Sequence, residues 1–301
     1  MKNVIYVENH YFVTVKENSI KFRNVIDKSE KFYLFEEIEA IIFDHYKSYF
    51  SHKLVIKCIE NDIAIIFCDK KHSPLTQLIS SYGMTHRLQR IQIQFQLSGR
   101  TRDRIWKKIV VNKIINQSKC LENNLHNENV KLLVNLAKDV STGDKSNKEA
   151  QAARIYFKDL YGKQFKRGRY NDIINSGLNY GYSILRSFIK KELALHGFEM
   201  SLGIKHQSKE NPFNLADDII EVFRPFVDNI VYEIVFKNNI KIFDINEKKL
   251  LLNVLYEKCI IDKKVMRLLD SIKIVVQSLI KCYDENAPTS LSLPKMIEVG
   301  N

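Results

Sequence analysis

The chain lacks most of the features that would place a protein in a membrane, a secretory route or a redox couple. Its five cysteines, Cys58, Cys68, Cys120, Cys259 and Cys282, form no Cys-x-x-Cys pair, which argues against a zinc knuckle or a thioredoxin-type site. Their odd number and apolar neighbours, as in Ile66-Phe67-Cys68, suit buried thiols in a reducing cytosol. The opening Met1-Lys2-Asn3-Val4-Ile5-Tyr6-Val7-Glu8 carries no apolar signal region. No stretch approaches the roughly 18 uninterrupted apolar residues of a membrane span. The ten glycines are scattered and match neither the dinucleotide nor the nucleotide fingerprint. No Ser-His-Asp spacing, internal repeat or low-complexity tract is present. These absences lead to the expectation of a soluble, cytoplasmic protein with no membrane partner.

Acid is scarce relative to base. Forty-seven Lys+Arg face 35 Asp+Glu, a formal net charge of +12, and such an excess favours nucleic acid or another anionic surface as partner. It also suits plain solubility. What remains is globular in character: 45% hydrophobic and 11% aromatic residues in a chain of 301 are enough for real cores, and the length favours two domains.

The first seventy or so residues alternate as strands do. Val4–Val7, Tyr11–Val15, Ser19–Phe22, Lys31–Leu34, Ala40–Phe43 and Ile63–Phe67 are short, rich in β-branched and aromatic residues, and parted by polar breaks. His52 to Asn61 has helical spacing through Leu54, Val55, Cys58 and Ile59. From about Leu75 the period changes to about 3.6 residues. Helices are predicted over 80–97, 104–121, 147–161, 173–196, 215–236, 246–258 and 263–283. The expected fold class is α+β: a small, sandwich-like β-rich domain over 1–75, a connecting helical segment over 76–100, a larger all-α catalytic domain over 101–285, and a loose tail over 286–301.

Two runs concentrate the positive charge. Between Met84 and Lys119, nine Lys/Arg, among them Arg87, Arg90, Lys107, Lys108 and Lys113, face only Asp103. From Lys145 to Arg169, eight more, including Arg154, face Glu149 and Asp159. Lys/Arg interleaved with polar and aromatic groups can hold a phosphate backbone without reading bases. A solvated helix face is the alternative.

Against this background one stretch is unusually acidic. His206 stands a short loop ahead of a helix whose first turns carry Asp217, Asp218 and Glu221. Asn214 suits an N-cap with Asp217 at the capping-box position, so Asp217 reads as a cap residue. Asp218 and Glu221, three apart, share a face beside the apolar stripe of Leu215, Ile219, Val222, Phe223 and Phe226. Glu149 opens another helix, and Ser146-Asn147-Lys148-Glu149 is itself a capping-box pattern. Each residue has an ordinary reading: a cap for Glu149, a surface histidine for His206. If the helices meet, however, Glu149, His206, Glu221 and Asp218 could hold one metal against a polyanion. Carboxylate oxygens suit Mg²⁺ or Mn²⁺, and an imidazole favours Mn²⁺.

The run Asn211-Pro212-Phe213-Asn214-Leu215-Ala216-Asp217-Asp218-Ile219-Ile220-Glu221-Val222-Phe223-Arg224-Pro225, with His206 ahead of it, resembles the CRISPR adaptation integrase, number one in the Cas naming. The segments Glu149–Phe157, Asn175–Tyr182, Trp106–Ser118 and Ile63–Asp69 with Pro74 agree in order, leaving only the C-terminal tail uncovered. The short length and the final glutamate look most like members found beside type II effector systems. Pro212 follows His206 less closely than in some relatives. The resemblance implies a metal-dependent DNA integrase and endonuclease, with Glu149, His206 and Glu221 as catalytic metal ligands and Asp218 in support. The implied reaction is transesterification, a 3′-hydroxyl of incoming prespacer DNA attacking a phosphodiester at the edge of a CRISPR repeat. It also implies a homodimer and a small ferredoxin-like partner, number two in the Cas naming, with other type II CRISPR proteins as further candidates. A non-catalytic DNA-binding scaffold and an unrelated metal nuclease are the competing readings.

Overall fold

A computed structural model describes residues 2–78, 86–126, 128–168, 170 and 172–298. The chain divides into two compact units, Met1–Thr85 and His86–Asn301.

The N-terminal unit contains eight strands, one α-helix and a 3-10 turn (Phe35–Glu37) among its described residues: β1 (Asn3–Val7), β2 (Tyr11–Lys16), β3 (Ser19–Asn24), β4 (Glu30–Leu34), β5 (Ile38–Phe43), β6 (Tyr49–Phe50), α1 (His52–Glu60), β7 (Ala64–Cys68) and β8 (Pro74–Leu78). One sheet runs β1-β5-β7-β8 and the other β4-β3-β2-β6. In the first, β5 pairs in parallel with both β1 and β7 and is buried along almost its whole length, which explains its unbroken run Ala40-Ile41-Ile42-Phe43. In the second, β3 alternates strictly, with Ile20, Phe22 and Asn24 buried and the residues between them not, as one covered face requires. A single cluster draws Val13, Ile20 and Phe22 together with Val7, Ile41, Ile65 and Leu54. The six expected strands and the short helix are all present; the two additional strands, β6 and β8, lie at sheet edges.

The second unit is helical, with α2 (Arg87–Gln96), α3 (Gly99–Asn123), α4 (Val130–Lys138), α5 (Lys148–Tyr161), α6 (Ile173–Leu195), α7 (Asn214–Ile219), α8 (Arg224–Val231), α9 (Ile245–Leu251) and α10 (Leu268–Asp284). Its strands β9 (Lys258–Ile261), β10 (Lys264–Arg267) and β11 (Lys295–Met296) form a small sheet in the order β10-β9-β11. The longest helix, α3, packs against α4, α5 and α8 and runs through the middle of the unit. Gly181 lets α6 and α8 approach closely, since a Cβ there would lie 2.4 Å from Val227 Cγ1.

Several expectations need correction. The unit is not purely helical, because 263–267, expected to start a helix, instead forms a hairpin with β9. Asp262 and Lys263 both take positive φ, the turn geometry that matches strand twist. The helix expected over 215–236 is broken: a 3-10 turn at Ile220–Val222 separates α7 from α8, and Pro225, near the start of α8, has no N–H to continue the ladder. The segment Ser80–Thr85, expected to open α2, lies outside the described residues. α2 itself belongs to the helical unit rather than to a separate connection.

The tail is the largest departure. Its described part, 286–298, is not loose. Pro294 O accepts from Asn112 Nδ2 and Asn116 Nδ2, each at 3.0 Å, and Met296 N–H donates to Asn116 Oδ1 at 3.1 Å. Lys108 Nζ donates to Thr289 O and Leu291 O, Asn123 to Ile297 O, and Lys119 pairs with Glu298. Residues 108, 112, 116, 119 and 123 form one stripe along α3, and that stripe holds the tail.

Candidate active site

Three strands of chain bring the predicted acids to α3. The first is the start of α5. Asp144 accepts the backbone N–H groups of Lys148 (2.8 Å) and Glu149 (3.1 Å), and Asn147 is the N-cap. This helix start therefore needs no Ser146–Glu149 capping box, and the Glu149 carboxylate is released for another partner. That partner is Lys113, whose Nζ lies 2.6 Å from Glu149 Oε1.

The second is the 3-10 turn after α7. Glu221 is buried, at 6% exposure, and its two oxygens are divided: Oε2 accepts from Lys113 Nζ at 2.6 Å and Oε1 from Arg224 Nε at 2.9 Å. Arg224 in turn covers the Tyr182 ring, 4.4 Å from its centroid. Burial alone would push the Glu221 pKa up, but Arg224 and Lys113 overcome it and hold the carboxyl at about 2. Burial likewise opposes the charge on Lys113, yet Glu221 and Glu149 together hold its pKa above the ordinary lysine value. The two glutamates that the sequence placed far apart thus meet on one cation.

The third is the loop ahead of α7. Asp218 is fully buried and collects the backbone N–H groups of Ile204 (2.5 Å), Lys205 (3.1 Å) and His206 (3.1 Å). Its Oδ1 also takes His206 Nδ1 at 2.8 Å. The loop wraps so tightly that a Cβ on Gly203 would sit 2.2 Å from His206 O and 2.8 Å from Asp218 Oδ2. Asp218 is therefore a positioning residue. A carboxylate on Nδ1 fixes the neutral ring with its proton there and leaves the Nε2 lone pair to act. The same hydrogen bond raises the His206 pKa against the lowering effect of burial. Trp106 stands edge-on to the imidazole, with centroids 6.0 Å apart. Trp106 and Lys113 are seven residues apart on α3, two turns and one face.

The chemistry of this donor set fits a hard divalent ion. Two carboxylates already converge on a single positive charge, and a pre-oriented imidazole feels the charge of one of them, Glu221. Among the described residues, though, no three His, Cys, Asp or Glu side chains lie close enough together to hold an ion. Glu149 and Glu221 are brought together, whereas His206 is directed toward Asp218.

Asp217 is not a cap, because α7 starts after Phe213 and has no side-chain cap. Asp217 instead accepts Arg186 Nε (2.6 Å) and Nη2 (2.8 Å). Asn214, expected as the N-cap, donates to Ser201 O and Ser208 O, closing the loop. A cleft of about 600 Å³ opens beside this loop, lined by Arg102, Gly203 and Gln207 among others.

The six cations expected to meet DNA fall into different settings. Arg154 is exposed on α5, in the same helix as Glu149, and Lys107 is half-buried on α3. Arg87 is 3.8 Å from Glu199. Arg90 is engaged by Asp284 at 2.5 Å and by the Phe198 ring. Lys108 binds the tail, and Lys113 is buried between the glutamates. Basic spacing along a helix does not distinguish these settings. Arg224, three residues after Glu221, was the missed partner; its signal was that same i, i+3 spacing.

With this geometry established, the similarities to known proteins take on meaning. Residues 5–264 match the profile of the family described as CRISPR associated protein Cas1. The chain is 31% identical over 264 residues to a CRISPR-associated endonuclease Cas1 of Neisseria meningitidis serogroup C (strain 8013), covering 87% of this chain and 86% of that one. Among solved structures, its fold is similar to a casposase bound to its integration product, with a TM-score of 0.77 at 19% identity over 95% of this chain and 91% of that one. It is also similar to part of a Cas6-RT-Cas1–Cas2 complex, with a TM-score of 0.72 at 19% identity over 100% of this chain and 36% of that one. A β-rich unit followed by a helical one, the acidic loop and helix, and a profile match spanning most of the sequence lead to one conclusion: the chain belongs to the Cas1 family of CRISPR-associated proteins.

Proposed function

We propose that this chain is a metal-dependent DNA integrase of CRISPR spacer acquisition, which joins the 3′-hydroxyl ends of a short DNA to a phosphodiester at the edge of a repeat. The observation that carries this reading is the convergence of Glu149 and Glu221, from separate elements, on one cation. The casposase bound to its integration product supports the direction of the chemistry, and the endonuclease name of the Neisseria relative supports phosphodiester cleavage. Glu149, Glu221 and His206 Nε2 are the groups to hold Mg²⁺ or Mn²⁺. Such an ion, when bound, supplies charge neutralisation at the phosphate and activation of the attacking oxygen. Asp218 keeps the imidazole in one tautomer and one orientation. Arg224 keeps Glu221 ionised and fixed. Arg154, exposed on the helix that carries Glu149, and Lys107 offer phosphate contacts that do not depend on base sequence.

The reading includes double-stranded DNA as substrate, a second copy of this chain, and a small ferredoxin-like subunit; the Cas1–Cas2 complex among the similar structures supports that last partner. No helix among the described residues is long and apolar enough to cross a membrane.

The test is strand transfer of a short duplex into a repeat-bearing plasmid with Mg²⁺ or Mn²⁺, with and without the small subunit. Wild type should give branched product, and 3′-deoxy ends should give none. Glu149→Ala and His206→Ala should each abolish product while still binding DNA. Transfer at wild-type level by either variant would overturn the site, and DNA binding without any transfer by wild type would favour the scaffold reading. Arg154→Ala should lower the slope of log K against log salt by about 0.9 for one lost phosphate contact.

A further inference from the structure

Lys113 does not behave as an ordinary basic residue of a DNA-binding helix. Its side chain is only 10% exposed, and its Nζ stands 2.6 Å from an oxygen of each glutamate. Each carboxylate oxygen that faces it is one that a divalent ion at this place would need. An ammonium hydrogen-bonds such oxygens at about 2.7–2.9 Å, whereas Mg²⁺ binds them at about 2.0–2.1 Å. Both cations cannot sit between one pair of oxygens, because their centres would be far too close for two positive charges in a poorly hydrated site. Entry of one therefore requires exit of the other.

α3 itself is not free to slide away. Asn112 and Asn116, on either side of Lys113 in sequence, are bound to Pro294 O and Met296 N–H. Any exit must be a movement of the flexible four-carbon stem. Glu149 is the more open partner, with its side chain 23% exposed against 8% for Glu221, so the way out lies on the Glu149 side.

We propose that Lys113 is a built-in competitor for the cation position: its ammonium holds the Glu149–Glu221 pair together and must swing out before a divalent metal can enter. This rests on the reading of those glutamates as metal ligands. The device lowers metal affinity below what the two carboxylates alone would give. In exchange, the site stays assembled without an ion, since the two carboxylates with no cation between them would repel, with only Arg224 left to balance Glu221.

The experiment measures metal binding without DNA or activity, by following free Mn²⁺ with electron paramagnetic resonance during titration of wild type, Lys113→Met and Lys113→Gln. Thermal melts in EDTA and in Mn²⁺ accompany it. Lys113→Met should bind Mn²⁺ at least about tenfold more tightly than wild type. It should melt lower than wild type in EDTA and gain more from added Mn²⁺. Lys113→Gln serves the same purpose if the methionine variant does not fold. Adding Glu149→Gln to either variant should abolish the gain. If wild-type Mn²⁺ binding is lost in Glu149→Gln but is equal or weaker in the Lys113 variants, the competitor idea fails and the metal site stands. If neither wild type nor the Lys113 variants bind Mn²⁺ through Glu149, the metal site fails and the competitor idea fails with it.

Discussion

The two units of this protein bury charge to very different extents. Among its described polar side chains, the N-terminal unit buries only Asn24 and Asp44, and its core is Val, Ile, Leu and Phe from two sheets. The helical unit buries Lys113, Asp218, Glu221 and Asp228 along with several amides. A buried ion is costly unless it is paired and hydrogen-bonded, and here Lys113, Glu221 and Arg224 satisfy one another while Asp218 gathers four donors. The contrast marks where the charges are held: one unit buries a largely apolar core with a single carboxylate, while the other keeps several charges in fixed positions.

Removing one charge from the helical unit should have the largest effect. Glu221→Ala leaves Lys113 and Arg224 without their shared partner and should cost roughly 3–5 kcal/mol in urea denaturation. Glu221→Gln removes the same charge but keeps an acceptor, so it should cost nearly as much; a loss much smaller than that of the alanine variant would mean that hydrogen bonding, not charge, is what the helical unit depends on. In the N-terminal unit the matching test is a cavity. Leu54→Ala, at a fully buried position, should cost about 3 kcal/mol. Its loss should be independent of pH and of added metal, and a metal-dependent loss would break the contrast between the units.

The smallest effect should come from Asp228, which sharpens the comparison because its charge is poorly compensated. Burial raises its pKa to about 6, against the hydrogen bond donated by Tyr182. A folded pKa above the unfolded value of about 3.9 means that the native state binds more protons between those two values, so stability falls as pH rises from about 4 to 6. Asp228→Asn should remove that fall and be more stable than wild type by about 2 kcal/mol at pH 7, with no advantage at pH 3. A constant difference across this range would show that Asp228 is ionised in the fold at no cost.

Much of this architecture is written in local patterns. Ile20, Phe22 and their neighbours alternate as a half-covered strand must, and the Leu54–Cys58 spacing marks α1. Val130, Leu133, Val134 and Ala137 had helical spacing as well, and α4 followed it unpredicted. The strand Lys264–Arg267 falls within the helix expected over 263–283, because positive φ at two non-glycine residues, Asp262 and Lys263, leaves no periodic signal. In the site, Glu149, His206, Asp218 and Glu221 could be named from residue type and family resemblance, but their pairing could not. That Lys113 lies between the glutamates while Lys108 holds the tail depends on which face of α3 each occupies, and every basic residue of a run looks alike until the fold chooses.

The stripe of α3 that holds the tail also bears on the order of events during synthesis. Asn116 and the Pro294 carbonyl that it binds are 178 residues apart. At about 5–20 residues per second, α3 leaves the ribosome roughly 10–40 s before its last partner exists. Throughout that interval the amides of Asn112 and Asn116 have no tail to bind, so the helical unit cannot complete its interior one segment at a time. Its closure around α3 waits on residues made long after that helix, whereas the N-terminal sandwich has its whole core in hand long before.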